Sequence, residues 1–511
     1  LTTEDTKSTE GCVATAVLRG LDWLGEWGVG GRTYRNPNGE GCHIFGVRKI
    51  TFIKSHLAIP VLEKKTGLYK SNFMSLHPVL AEKLSEAVLP TPVPTSTRRE
   101  ARLPAVPGKV HAVIGMRRAG KTTFLRQLLA EWRSELPPEQ AIYLSFDDDR
   151  LGELGTEQLG FLLEEYYRRY PALRGTTPVH WFLDEIQLVS GWERFARRVL
   201  DTEQVSLVVS GSSAKMLSRE VHSSLRGRGM ETIIRPFGFR EFLRHRGEEP
   251  ANSPERWTAA ERSQMEYRFR EFLTQGGFPE VQSLANNLRI DLLQGYVDTV
   301  LFRDVVERHA ISQVAALRWI VRHCLGNPGG PLSVHRLHQD LHSQGHAIGK
   351  DAVHALIGHL IDAFLISSVP IATESERQRN SNPRKIYPAD PGLIPAFATS
   401  GRPHTGHALE TAVFHELDRR GAEISYVKCG GDLEVDFFAR YPDGRTEMIQ
   451  VCADLSEPAT RERELRAMSA ATEHHPHASR HLLVLNRDAI AGVQAQPGLV
   501  IEAASDWLLR A

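Results

Sequence analysis

The sequence predicts an α/β protein organised around a parallel sheet, and three observations predict it. Apolar runs at 110–114, 141–145, 179–183 and 205–209 have the length and β-branched content of buried strands. Helix-period segments separate them, the clearest carrying Leu125, Leu128, Leu129 and Trp132. The first run opens directly into Gly115-Met-Arg-Arg-Ala-Gly120-Lys121-Thr122-Thr123, a complete GxxxxGK[ST] pattern between strand and helix.

Each residue type in that loop has a mechanical task. Gly115 and Gly120 let backbone amides curl around anionic oxygens, and the following helix points its positive end at them. Arg118, Ala119 and Thr123 complete the cradle, Lys121 would reach the outer phosphates, and the Thr122 hydroxyl would hold Mg2+. ATP and Mg2+ are the implied ligands.

The whole chain sets bounds. At 511 residues it exceeds what one hydrophobic core serves, so three or four domains are expected. Formal net charge is zero, so nucleic acid or membrane contact would have to be local rather than global. The five cysteines (Cys12, Cys42, Cys324, Cys429, Cys452) form no CxxC pair, which argues against a zinc site or disulfide framework and fits a reducing, cytoplasmic setting. Neither a spanning apolar segment nor a basic-then-apolar leader is visible, so no membrane association is expected.

Residues 1–73 mix Gly-rich pieces with short apolar runs and show no sustained period. No methionine precedes Met74, where an amphipathic helix pattern (Leu80, Leu84, Val88) begins, so Met74 is read as the natural start and 1–73 as an appendage. A Pro-rich connection with Arg98, Arg99 and Arg102 then enters the sheet. The second strand ends in Asp147-Asp148-Asp149, which fits either a helix cap or a ligand-side acid cluster. The third delivers Asp184-Glu185, an apolar-run-then-acid-pair element: Asp184 would bind Mg2+ through its water shell, and Glu185 would polarise the water attacking the γ-phosphate. The fourth ends in Ser210-Gly211-Ser212-Ser213, a phosphate-sensing turn or a plain cap. Arg226 and Arg228 precede a short fifth strand at 232–234. An arginine there is the candidate for stabilising transition-state charge, on its own nucleotide or on that of a neighbour in a homo-oligomer.

Taken together, GMRRAGKTT, LSFDDDRL, FLDEIQ, SGSSAKML and LRGRGMETIIRPFGFREFL resemble the AAA-type ATP-binding proteins of bacteria and archaea whose C-terminal half is a domain of unknown function. The resemblance continues through Gly276-Gly277-Phe278-Pro279-Glu280, Tyr296 and 303–308. It implies a P-loop sheet with a strand inserted between the phosphate-loop strand and the acid-pair strand. It also implies nucleotide residues Gly115, Gly120, Lys121, Thr122, Asp184 and Glu185, with Arg117 and Arg118 matching a double arginine of unassigned role.

Farther on, Leu337 and Leu341, a turn at Gly345, then Val353, Leu356, Leu360 and Phe364 followed by a strand at 365–369 predict a winged helix. The second helix offers only Lys350, His354 and His359 to a DNA groove, while Arg377, Arg379, Arg384 and Lys385 lie in the wing. Direct DNA contact and a packing or partner-docking module both remain open. From Gly406, a helix bearing Glu410 and strands at 423–428, 433–439, 446–451 and 482–485 around a helix at 460–471 resemble the PD-(D/E)XK nuclease fold. That resemblance places Glu410, Asp436 and Gln450 at the metal-holding positions, but Cys452 stands where the family has lysine. A thiol cannot supply the missing ammonium, so the nuclease site reads as degenerate, with Lys428 the candidate replacement cation.

The expected partition is therefore a 1–73 appendage, a 74–250 P-loop AAA-type ATPase domain, a 251–312 helical segment, a 313–400 winged-helix module and a 401–511 nuclease-like domain. The expected function is a Mg-dependent ATPase coupled to a degenerate nuclease-like domain. The alternatives are an ATP-switched regulatory or toxin-like protein without significant turnover, or a DNA-processing enzyme with a live nuclease.

Overall fold

The computed structural model describes residues 33–35, 41–43, 75–89, 96–211, 225, 227–398, 404–490, 493 and 496–510. Expectations resting on Cys12, Met74, Ser212, Ser213 and Arg226 lie outside the described residues. The chain forms two compact units, Leu1–Leu76 and His77–Ala511. Within the first, Thr33–Arg35 and Gly41–His43 pair as an antiparallel hairpin.

The second unit begins with helix Pro78–Glu86 and is built on a five-stranded parallel sheet. The strands lie in the order Ala141–Ser145, Val179–Asp184, Val205–Ser210, Val110–Ile114, Gly229–Ile233. Val205–Ser210 thus stands between the phosphate-loop strand and the acid-pair strand, as the resemblance implies. Parallel pairing has a direct consequence for function: the loop after Ile114, the acids at Asp184 and the serine at Ser210 all emerge from the same sheet edge. Val110–Ile114 is buried along its whole length, as a strand covered on both faces must be. Helix Lys121–Arg133 lays Phe124, Leu125 and Leu129 on Val113, Phe182 and Val208, with Trp132 packed edge-on to Phe182 at 5.2 Å. The fifth strand begins three residues before its expected start, because Gly229 already pairs with Val110.

Helices Ala259–Gln275 and Asn286–Thr299 follow, and the latter runs into a π-helical turn at Val300–Val306. The next module comprises Val314–Gly326, Val334–Ser343 and Lys350–Asp362. Beside them lies an antiparallel sheet ordered Pro331–Leu332, Arg384–Pro388, Ile366–Val369. Leu337, Leu341, Val353, Leu356 and Leu360 share one core with Leu293, Val297 and Val305. The last sheet orders Glu423–Lys428, Glu434–Arg440, Thr446–Cys452, Ser479–Val484, Leu499–Ala503. Its first three strands are antiparallel and its last two join in parallel. Phe437 packs with Leu409 and Val413 of helix Thr405–Arg419, while Phe438 packs with Ala467 and Met468 of helix Pro458–His474, so one helix covers each face. The strand Leu499–Ala503 and the buried terminal helix Ala504–Leu509 are absent from the sequence reading.

Candidate functional site

The phosphate loop is shaped by its glycines. Gly115 has φ 145°, and a Cβ there would lie 2.1 Å from the Ile234 carbonyl oxygen, so the loop can leave the sheet only where no side chain exists. Gly120 has φ 100° and caps helix Lys121–Arg133, which aims its positive end at the loop. Lys121 is buried, and its ammonium donates to the carbonyls of Gly115 and Met116, both at 3.0 Å. Burial pulls its pKa below the usual lysine value, with Glu185 the strongest opposing influence.

The acid pair meets this loop through a closed hydrogen-bond set. The Thr122 hydroxyl donates to Asp184 Oδ2 at 2.8 Å, Tyr143 donates to the same oxygen at 2.6 Å, and Ser210 donates to Oδ1. Asp184 is 2% exposed, so these donors are what make its burial tolerable. Burial and the adjacent Asp184 push the Tyr143 hydroxyl well above its ordinary pKa, keeping it a donor. Glu185 sits in the left-handed region at φ 55°, a conformation that costs a non-glycine residue roughly 1–2 kcal/mol. Its amide donates to Ser210 Oγ at 3.1 Å and its carboxylate accepts from Gln187, so the strain is held by the neighbouring strand. Ser210 thus links Asp184 to Glu185.

The cradle fits a nucleoside triphosphate and a divalent cation: two glycines clear the backbone, and the half-buried Thr122 hydroxyl meets the buried Asp184 carboxylate at 2.8 Å beside the buried lysine. Gly115, Gly120 and Lys121 would hold the phosphates, with Arg118, Ala119 and Thr123 as the adjoining loop and helix residues, and Thr122 and Asp184 would hold Mg2+.

Other expectations are relocated. Arg228 lies at the far end of the sheet: its carbonyl accepts from Val110, the first residue of the phosphate-loop strand, and its guanidinium pairs with Asp201. A strand of five residues is about 16 Å long, so Arg228 cannot serve its own nucleotide. Arg118 has φ 65° and turns its side chain outward to Glu280 at 3.5 Å and the Tyr296 ring. Asp148 caps the turn Asp149–Leu151 and pairs with Lys83 at 2.9 Å, so for that residue the capping alternative holds.

Three buried residues make contacts that the sequence did not disclose. Arg99, read as a linker residue, is buried; it pairs with Glu241 at 3.2 Å and donates to the Arg235 carbonyl. Its guanidinium lies 3.6 Å from where a Gly120 Cβ would sit. Asp304 accepts from Arg117 at 2.9 Å. Asp390 accepts from the amides of Gly277 and Gly392, at 2.7 and 2.8 Å. The Gly276-Gly277 dipeptide was the available signal, since a Cβ at Gly277 would strike the Phe237 carbonyl oxygen at 2.1 Å.

The second acidic cluster is assembled as expected in part. Glu410 and Asp436 converge, but through Lys385, whose ammonium reaches both. Gln450 turns away: its amide oxygen accepts from the Asp436 backbone at 3.1 Å and its nitrogen donates to Glu464 at 2.6 Å. Lys428 is exposed and does not act as the replacement cation. Lys385 is 4% exposed and therefore is not a wing residue facing DNA; Arg377 and Arg384 are exposed.

Fold and site together define an AAA-type P-loop protein with a nucleotide-binding loop. Residues 107–243 match the family described as "AAA domain", and residues 266–403 match a domain of unknown function, DUF8612. The uncharacterized protein MJ1544 of Methanocaldococcus jannaschii is 32% identical over 379 residues, spanning 73% of this chain and 81% of that protein. An uncharacterized protein of Haemophilus influenzae is 24% identical over 350 residues, 68% of this chain and 83% of its own length. The chain belongs to the family of MJ1544. Among solved structures, the Walker-type ATPase PABY2304 of Pyrococcus abyssi aligns at 15% identity and TM-score 0.38, covering 63% of this chain and 95% of that one. The Aeropyrum pernix ORC1 protein, solved in complex with DNA, aligns at 17% identity and TM-score 0.25, covering 64% and 93%. Among the described residues no helix is long and apolar enough to cross a membrane.

Proposed function

We propose that this protein is a Mg2+-dependent ATPase whose hydrolytic centre is Lys121, Thr122, Asp184 and Glu185. The observation that carries this is the bonded chain Thr122, Asp184, Ser210, Glu185, which holds a cation-binding carboxylate and a strained acid beside the phosphate loop. Mg2+ supplies charge neutralisation at the phosphates when bound. Lys121 holds the phosphates, Asp184 fixes the Thr122 hydroxyl, and Glu185 orients and polarises the attacking water. Arg228 would act only on a neighbour's nucleotide, which makes a homo-oligomer part of this reading. Steady-state phosphate release and equilibrium ATP binding test it: Lys121→Ala should lose both binding and turnover, and Glu185→Gln should lower turnover alone. Unchanged turnover in Glu185→Gln sinks the hydrolytic reading.

A switch reading gains support from Arg117, which ties the phosphate loop to the buried Asp304 of the π-helical turn, giving nucleotide state a direct route to the DUF8612 region. In our reading that region includes a winged-helix module, and 401–511 is a nuclease-derived domain without the family's lysine. DNA contact would run through the exposed Arg377 and Arg384, and the Arg377→Ala/Arg384→Ala pair should flatten the salt dependence of any DNA binding.

A further inference from the structure

The acidic cluster of the C-terminal domain is already filled by a cation from the preceding module. Lys385 enters from strand Arg384–Pro388 and places its ammonium 2.8 Å from Asp436 Oδ1, 2.8 Å from Glu434 Oε1 and 3.3 Å from Glu410 Oε1. Two further donors reach the same carboxylates. Tyr387 donates to Glu410 Oε1 at 2.7 Å, and the Val451 amide donates to Asp436 Oδ2 at 3.0 Å. The lid over the cluster is tight: Gly329 donates its amide to the Ile386 carbonyl at 2.8 Å, and a Cβ on it would lie 2.6 Å from Glu410 Oε2. The Tyr426 ring flanks the ammonium at 5.8 Å. Burial alone would lower the lysine pKa, but Asp436, Glu410 and Glu434 outweigh it and hold the group charged.

A divalent cation does not fit this arrangement. Mg2+ requires oxygens at about 2.0–2.1 Å in a near-octahedral shell, and the oxygens that would form it are bonded to an ammonium at their centre. We propose that Lys385 is an internal counter-ion standing where nuclease-type carboxylates would hold a metal, so that the acids clamp the domain at 401–511 onto the module at 313–400 instead of cutting a phosphodiester. The inference explains why Cys452 is tolerated: a site with no metal and no attacking water needs no lysine on that strand. It takes from the nuclease-derived reading only the origin of the carboxylates. Nothing in it depends on ATP turnover, so its failure leaves the ATPase reading untouched.

The test uses the full chain and Mn2+ alone. Wild type should show neither a Mn2+-dependent rise in Tm nor Mn2+-dependent nicking of supercoiled DNA that Asp436→Asn removes; any Mn2+ effect that survives Asp436→Asn belongs to the Thr122 and Asp184 site. Lys385→Met keeps the stem and deletes the charge, leaving three uncompensated carboxylates around one point. Its Tm should fall, and Mn2+ in large excess should restore about 5 °C. If Lys385→Met does not fold, Lys385→Met/Glu410→Gln/Glu434→Gln should, because one carboxylate remains there in place of three and the Val451 amide still donates to it. Stoichiometric Mn2+ uptake by wild type that Asp436→Asn abolishes would overturn the proposal. So would a folded Lys385→Met indifferent to Mn2+, or a triple variant that also fails to fold.

Discussion

Arg117 of the phosphate loop donates through Nε to Asp304 Oδ2 at 2.9 Å, and the Asp304 side chain is 1% exposed while Arg117 remains one-third exposed. A residue of the phosphate loop is thereby bonded to a π-helical turn almost two hundred positions away in sequence. Single π-helical turns inside helices occur frequently at functional sites. Burial works against the Arg117 charge, but the hydrogen bond to Asp304, its Coulombic attraction, and Glu185 and Asp147 hold its pKa above the usual arginine value.

Replacing Asp304 with Ala should therefore leave Arg117 without this partner and cost about 1.5–3 kcal/mol of stability by urea unfolding, the range for a hydrogen bond to a charged group. Hydrogen exchange at 300–306 should respond to ATP in wild type and lose that response in the variant. An intact response in Asp304→Ala would remove the contact from the coupling route.

Gly115→Ala should lose nucleotide affinity by at least ~10-fold, since backbone strain at a positive φ costs roughly 1–3 kcal/mol before any clash. The clash is with backbone, the Ile234 carbonyl oxygen at 2.1 Å, which no side-chain rotation relieves. Equilibrium binding of ATP measures it, and wild-type affinity in the variant would show that the strand ends move freely.

Glu185→Gln should lower turnover by about 10²–10⁴-fold, the usual contribution of a positioned general base. ATP binding should persist, because the bonds that hold Lys121 and Thr122 run through Asp184 and the loop carbonyls rather than through Glu185. Single-turnover hydrolysis and equilibrium binding separate the two effects. Parallel loss of both would make Glu185 a structural residue.

The sheet and its ligand edge were legible because buried parallel strands read as continuous apolar runs and the phosphate loop is a local pattern: 141–145 is recovered residue for residue. What stayed illegible depends on contacts distant in sequence. Arg99 lies in a Pro-rich stretch that reads as linker, and only the folded chain shows it buried against Glu241. Lys385 carries a charge that suggests solvent, yet its three partners come from a helix and a strand of the following domain. The strand Leu499–Ala503 was missed because Glu502 interrupts its apolar run, and that carboxylate is accommodated by Arg510 at 2.7 Å.

Asp390 yields a pH dependence whose sign can be worked out. It is 2% exposed, and burial pushes its pKa up to about 7 although the Gly277 and Gly392 amides, then Arg419, pull it back. An unfolded aspartate titrates near 3.8. Between about pH 4 and pH 7 the native state keeps a proton that the unfolded chain has released, so the contribution of Asp390 is full below pH 4 and falls as pH rises through that window, by at most about 1.4 kcal/mol per pH unit. In Asp390→Asn the window disappears, and an amide NH2 faces one of the two backbone donors at a cost of about 1–3 kcal/mol. The stability gap between wild type and Asp390→Asn, followed by urea midpoints from pH 5 to pH 8, should therefore narrow as pH rises. A gap that widens instead would mean that the two amides outweigh burial and that Asp390 is held as the carboxylate.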